Sequence, residues 1–448
     1  MGQDRPGKSN ESSRREFLTT TAAAAIGAGA LLGAAGRPAK AGTPAPTLGP
    51  IPTAKSRTPV GMDEPLRIGV IGTGGMGTGH CGALISLAEA GREKVDVVAL
   101  CDVCDPRVES AKKMCEDRQG FEVDTYRHHE DLLARDDLHG VLIASPEHWH
   151  AQHAIDAIAS GRDVYVEKPL TLRLEEALHF YRVAKANPDM IVQVGTQMTM
   201  LPKYQAARDL IKEGAIGKPT FSQTSYCRNS MDGEWLYYGL DPKWDPNSTI
   251  DWKRWCGWLG DMPWDPELYA RWRRYRATST GIIGDLLVHV VTPLMYALDM
   301  GWPTRVTASG GHYVDKVMEN HDQVNLTVEF EGEHTMIVAG STANEVGLET
   351  MIRGHEANLY LNSRHCVLRP ERLFVDDIDE RTVTCPDIGN DQDQLRLDWL
   401  RCIRTREQNK SPIDLATMCM VVVDLATRSM WEGGAFKFDP STMQASKI

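Results

Sequence analysis

The sequence predicts an α/β protein: a doubly wound parallel sheet, followed by an α+β domain built on an open, mostly antiparallel sheet. Three observations carry this reading. Between residues 65 and 197, short β-branched and apolar runs alternate with helical patterns, as a parallel sheet wrapped by helices requires. The first run, Ile68 to Ile71, stops at a glycine cluster, Gly72-x-Gly74-x-x-Gly77, and an Ala/Leu-rich helical pattern follows. Beyond Arg305, strand-like runs such as Gln323 to Phe330 and His334 to Gly340 suggest the antiparallel sheet.

Composition narrows the class. At 448 residues the chain exceeds one ordinary core, so two domains are expected. With 42% hydrophobic and 25% charged residues it is ordinary globular material. A net charge of −12 argues against a nucleic-acid partner, which would want a basic face. No apolar run long enough to span a bilayer follows the N-terminal segment, so the mature form is expected to have no membrane partner. Ten cysteines at irregular spacing do not make a disulfide scaffold, and the tight pair Cys101-x-x-Cys104 reads as packing rather than zinc.

Residues 1–41 read as an export signal. Ser13-Arg14-Arg15 precedes a mild Ala/Gly/Leu stretch and an Ala39-Lys40-Ala41 cleavage pattern, and the paired arginines resemble a twin-arginine signal. This predicts the twin-arginine export machinery as a partner and a periplasmic or otherwise exported location. Residues 42–64, rich in Pro, Thr and Gly, read as a linker.

In the glycine turn, Gly72 serves the tight bend, Gly74 the approach of backbone N–H groups to a pyrophosphate, and Gly77 the packing of helix on strand. Thr73, Gly75 and Met76 complete the turn, and the helix N-terminus adds unpaired donors. The second strand ends in Asp102, 25 residues past Gly77. An acid there accepts both ribose hydroxyls and repels a 2′-phosphate, so NAD is expected over NADP. Val141 to Ser145 is a buried strand whose C-terminal loop holds Pro146, His148 and His150, at the edge where such sheets bind ligands. Ser145, Pro146 and His150 are therefore assigned to the cofactor, as are Glu167, Lys168 and Gln197 at the ends of the next two strands. Metal binding by His148, His150 and His153 is the weaker alternative to lining a pocket, and no metal is expected.

Past Gln197, seven of the 11 tryptophans lie between Trp235 and Trp272. They read equally as core and as flat rings for stacking on a sugar. Asp285 and His289 are four apart and share a helix face. A histidine there suits proton transfer near neutral pH, while a satisfied structural histidine is the alternative. Residues 198–436 are assigned to the second domain, substrate-binding and oligomer-forming, and residues 437–448 to a tail.

Gly72-x-Gly74-x-x-Gly77, Asp102, the 146–150 loop, Glu167-Lys168-Pro169, Gly195-Thr196-Gln197 and Asp285-x-x-x-His289 occur in that order. Together they resemble the glucose–fructose oxidoreductase/inositol dehydrogenase (Gfo/Idh/MocA) family. The resemblance implies an N-terminal Rossmann domain, a C-terminal domain whose open sheet often forms a homo-oligomer contact, and catalytic roles for Lys168, Asp285 and His289. Many members carry an acid three residues after that histidine; here the position is Thr292, followed by Pro293, where the helix is expected to kink. The expected activity is hydride transfer between tightly bound NAD and a hydroxyl of a sugar, cyclitol or glycoside. The alternatives are a redox-neutral NAD-dependent glycosidase or lyase, and a non-enzymatic sugar-binding protein with a vestigial cofactor site.

Overall fold

The computed structural model describes residues 46, 48–362 and 364–448, and these form one compact unit. The export signal expected over residues 1–41 lies outside the described residues.

Six parallel strands form the first sheet: β1 (Leu66–Ile71), β2 (Val95–Cys101), β3 (Asp124–Tyr126), β4 (Gly140–Ile143), β5 (Asp163–Val166) and β6 (Val192–Val194). Their spatial order is β3-β2-β1-β4-β5-β6, so the chain reverses direction across the sheet between β1 and β4. That switch point opens a crevice at the carboxyl ends of the strands. Their near-continuous apolar runs, fully buried in β4 and β5, follow from having both faces covered.

One covering helix comes from far along the chain. Asp391–Thr405 packs Leu395, Trp399, Leu400 and Ile403 against Leu66, Val70, Leu142 and Tyr165. Gln193 at β6 donates to the Leu395 carbonyl at 2.7 Å. A helix that follows the 197/198 division in sequence thus packs back onto the first sheet and completes its cover. The expected linker is likewise anchored over part of its length. Ala54 N donates to Asn187 Oδ1 at 2.8 Å, Lys55 N donates to the Ala159 carbonyl at 3.0 Å, and Val60 packs on the sheet's core.

The second sheet has ten strands: β7 (Pro219–Cys227), β8 (Pro303–Gly311), β9 (Gln323–Phe330), β10 (His334–Ser341), β11 (Met351–Gly354), β12 (Ala357–Leu361), β13 (His365–Pro370), β14 (Arg381–Thr384), β15 (Ala435–Asp439) and β16 (Gln444–Lys447). Their order is β14-β13-β12-β11-β7-β10-β9-β8-β15-β16, and every pairing except β7 with β10 is antiparallel. Burial alternates along β9 and β10, as expected of a sheet with one packed and one open face. Residues 437–448, expected to be a tail, instead finish this sheet as the β15–β16 edge hairpin, with Phe436 and Phe438 turned into the core. Alternation over so short a run is easily missed.

Helix Ile413–Glu432 lies between the sheets, touching both β8 and helix Leu174–Ala186. The site-bearing segment begins as a π-helical turn, Ile283–Leu287, and continues as α-helix Val288–Leu298 with Pro293 inside it. Proline has no N–H to give to the carbonyl four residues back, which is that of His289. Single π turns recur at functional sites, and Asp285 lies within this one.

Candidate active site

The carboxyl ends of β1, β4, β5 and β6 and the start of the second domain enclose a cavity of about 400 Å³. The glycine turn forms its first wall. Gly72 has φ +88, and a Cβ there would lie 2.7 Å from Ala144 C and Ser145 N, so no other residue fits without moving that backbone. A Cβ on Gly77 would stand 1.8 Å from the Gly72 carbonyl oxygen, which fixes Gly77 as the contact between helix and turn. Helix Gly75–Glu89 has no side-chain cap and no acid in its first turn, leaving its first N–H groups open to an anion.

Of the residues assigned to the cofactor, Gly72, Gly74, Gly75, Met76, Asp102, Ser145, Pro146, His150, Glu167, Lys168 and Gln197 line this cavity. Thr73 and Gly77 do not. Thr73 is buried and spent on Asp102, giving its backbone N–H at 2.7 Å and its hydroxyl at 3.1 Å to Oδ2. Cys104 N donates to Oδ1 at 2.9 Å, so the acid's direction is fixed by the chain it terminates. Burial raises the Asp102 pKa, while Arg107 and these N–H bonds oppose it. Arg107 is a residue the sequence reading missed. Its guanidinium stacks over Trp244 and Tyr269 at 4.9 and 4.6 Å, beside Gly74. Its signal was available in Asp105-Pro106-Arg107, at the start of the helix following β2.

The histidines of the 146–153 segment are bonded within the protein. His148 Nε2 contacts the Trp255 carbonyl at 2.7 Å, and His150 lies between the carbonyls of Pro169 and Ser145 at 2.7 and 2.8 Å. His153 stacks on Trp149 and meets the Ser145 hydroxyl at 3.0 Å. Burial depresses all three, His148 to about 4. No metal-binding group of three such side chains occurs among the described residues.

Lys168 and, 117 residues further on, Asp285 with its neighbour His289 meet at the far wall. Lys168 Nζ donates to Asp285 Oδ1 at 2.8 Å and to its carbonyl oxygen at 2.8 Å. Arg273 Nε donates to the same Oδ1 at 2.8 Å. Burial by itself would raise the Asp285 pKa, but the two cations outweigh it and hold the carboxyl well below its usual range. The His289 ring hydrogen-bonds to no described residue, its Nδ1 is buried, and it lines the cavity. Burial, and next the Lys168 charge, push this imidazole down to about 3, so it is neutral across the physiological range. Thr292 is fully buried and does not line the cavity.

Behind Lys168, a buried relay fixes Glu167. Arg396 Nε donates to His80 Nδ1 at 2.9 Å, which leaves the proton on Nε2, 2.9 Å from Glu167 Oε1. Burial acts to raise Glu167, yet the bonds from His80 and Lys168 bring it down to about 2. His80 and Arg396 are 316 positions apart, and no sequence pattern joins them. The tryptophans divide: Trp252 stacks on Trp255 and meets Trp264 edge-on in a local core, Trp235 is buried in the main core beneath the cavity, and Trp272, with the edge of Trp255, lines it.

A dinucleotide-type glycine turn and a buried Lys/Asp/His cluster thus face one another across a single cavity, the layout of a two-domain cofactor-dependent enzyme. The chain belongs to the Gfo/Idh/MocA oxidoreductase family: residues 66–196 match its NAD-binding Rossmann fold and residues 208–438 its C-terminal alpha/beta domain. An inositol 2-dehydrogenase from Ralstonia nicotianae is 29% identical over 171 residues, 38% of this chain and 48% of that protein. The chain spans about half the length of the curated relatives it matches. Among solved structures, an oxidoreductase from Thermotoga maritima superposes with a TM-score of 0.64 at 17% identity, covering 85% of this chain and all of the other. A levoglucosan dehydrogenase in complex with NADH gives 0.63 at 20% identity, over 84% of this chain and 99% of its own. These two show the shared fold.

Proposed function

We propose that the protein oxidises or reduces a hydroxyl-bearing carbon of a sugar, cyclitol or glycoside using NAD. The observation that carries this is the unbonded His289 imidazole beside Lys168, in the cavity that also holds the glycine turn. The inositol dehydrogenase among the relatives supports a polyol substrate.

The cradle at Gly72 and the open N–H groups of helix Gly75–Glu89 suit a pyrophosphate, with Asp102 at the ribose. NAD, when bound, supplies the hydride acceptor or donor. His289, being neutral, takes the substrate hydroxyl proton in oxidation and returns it in reduction. Lys168, held by Asp285, donates to the substrate oxygen and stabilises the charge that grows there. Asp285 aims Lys168 and is a positioning residue. The preference for NAD rests on Asp102, and the nearby Arg107 opposes it. Asp102→Ala is expected to weaken NAD binding by about 1.5–3 kcal/mol and narrow the gap to NADP. Equal NAD affinity in variant and parent would remove the ribose role.

The reading includes export through Arg14 and Arg15 before cleavage near Ala41, with NAD loaded first and retained, since free dinucleotide is scarce outside the cytoplasm. Arg14→Lys with Arg15→Lys is expected to leave precursor in the cytoplasm, and denaturing the exported form is expected to release NAD. The test of the reaction is a panel of sugars, cyclitols and glycosides scored for nicotinamide absorbance and aglycone release together. Absorbance change without release supports the dehydrogenase, release without net change the glycosidase, and neither overturns both.

A further inference from the structure

Two arginines stand near the reacting end of the cavity, and their hydrogen bonding differs. Arg228 has both terminal nitrogens engaged, Nη1 with buried Glu234 at 3.0 Å and Nη2 with the Tyr226 hydroxyl at 2.9 Å. Arg273 uses only Nε, on Asp285, and its guanidinium lies over the Trp272 ring at 4.1 Å. The bond and the stack fix the plane. Its two terminal nitrogens have no acceptor among the described residues, although the side chain is only 17% exposed and lines the cavity. A nearly buried guanidinium with two free N–H-bearing ends is a fork awaiting a partner.

Charge decides what kind of partner. Arg228 is matched by Glu234, whereas Lys168 and Arg273 share a single carboxylate oxygen of Asp285. Of the other acids at this end, Glu167 is turned to His80 and packs against Gly195, and Glu147, close enough to feel Asp285 and Arg273, is buried so that its carboxyl is pushed up to about 8 and stays uncharged near neutral pH. A neutral diol would satisfy the fork's geometry and leave the extra cation uncompensated. An anion satisfies both, through charge-assisted bonds about twice as strong as neutral ones.

We infer that the substrate is an anionic sugar, one bearing a carboxylate or a phosphate, and that Arg273 grips this group while Lys168 and His289 face the reacting hydroxyl. This rests on the oxidoreductase reading. Because Arg273 and Lys168 reach the same oxygen atom, one sugar ring can touch both. The stacked Trp272 then serves mainly to hold the fork.

The test pairs sugars that differ in one group: glucuronate with glucose, galacturonate with galactose, and glucose 6-phosphate as the phosphate arm. Binding to the NADH-loaded protein is followed by tryptophan fluorescence, and turnover of the NAD-loaded protein by nicotinamide absorbance. The expected result is an anion-over-neutral preference of about 10–100-fold, with the uronate and phosphate arms telling which anion is meant. Arg273→Gln is expected to erase most of that ratio through KM, and Arg273→Lys, which keeps the charge but not the fork, to recover part of it. Neutral sugars bound as well as their acids, an unchanged ratio in Arg273→Gln, or no binding of any anionic sugar would each overturn the inference. Preferential binding of anions with no turnover of any sugar would uphold the Arg273 site and count instead against the oxidoreductase reading.

Discussion

The two walls of the cavity are made from different materials. At the Rossmann wall the groups presented to a ligand are mostly backbone: the bend at Gly72, the N–H groups opening helix Gly75–Glu89, and an acid whose own oxygens are held by the N–H groups of Thr73 and Cys104. At the opposite wall they are side chains, with Arg273, and Lys168 reaching across from the end of β5, converging on Asp285 and His289 left free. The first wall depends on the absence of a few atoms and fails sterically. The second depends on balanced charge and fails electrostatically.

The largest effect is expected at the charged wall. Asp285→Ala leaves two largely buried cations facing each other without their carboxylate, and removing one partner of such a group costs about 3–5 kcal/mol. Chemical denaturation should register that loss, and a destabilisation below about 1 kcal/mol would mean that water already screens the cluster. At the backbone wall, Gly72→Ala forces a side chain into left-handed backbone against Ala144 and Ser145. We expect a loss of about 1–3 kcal/mol, together with weakened NADH binding by fluorescence titration. Met76→Ala in the same turn, where the side chain is partly exposed, should do little. Parent-like NADH affinity in Gly72→Ala would show that the turn does not carry the cofactor.

A smaller effect separates the walls by pH. Glu147, fully buried behind the site, accepts from the Ser279 hydroxyl at 2.6 Å, and burial lifts its pKa from 4.5 to about 8. The folded protein therefore favours the uncharged acid: this contribution is complete below 4.5 and is lost as pH rises through about 8. Glu147→Gln removes the ionisation, so the variant should gain on the parent by about 1.4 kcal/mol per pH unit at most as pH climbs through that window. A difference in Tm that stays flat with pH would show that Glu147 is ionised in the fold.

The same contrast explains what was legible in the sequence. Backbone-built features leave local marks: a glycine at a forced bend, a strand before it, a helix after it. Gly72, Gly74, Asp102 and the alternation of strand and helix could be read because each is set by its neighbours in the chain. Lys168, Asp285 and His289 were singled out by their flanking residues and by the family resemblance, and the fold brings them together. Arg273 was not found, because nothing in its neighbourhood marks an arginine whose partner lies 12 residues away across a loop and a π turn. Arg396 and His80 are further beyond local reading. That helix Asp391–Thr405 packs on the first sheet was not legible, because its amphipathic pattern shows that it buries a face, not which sheet receives it.

The central claim is that His289, free and neutral at the wall of the cavity, moves the substrate proton. Its direct test is single-turnover hydride transfer in His289→Ala loaded with NAD, using a substrate drawn from the sugar panel. The account predicts a rate lower by about 10²–10⁴-fold, with NAD affinity retained because the cofactor's cradle lies at the other wall. A parent-like rate at full NAD occupancy would contradict it.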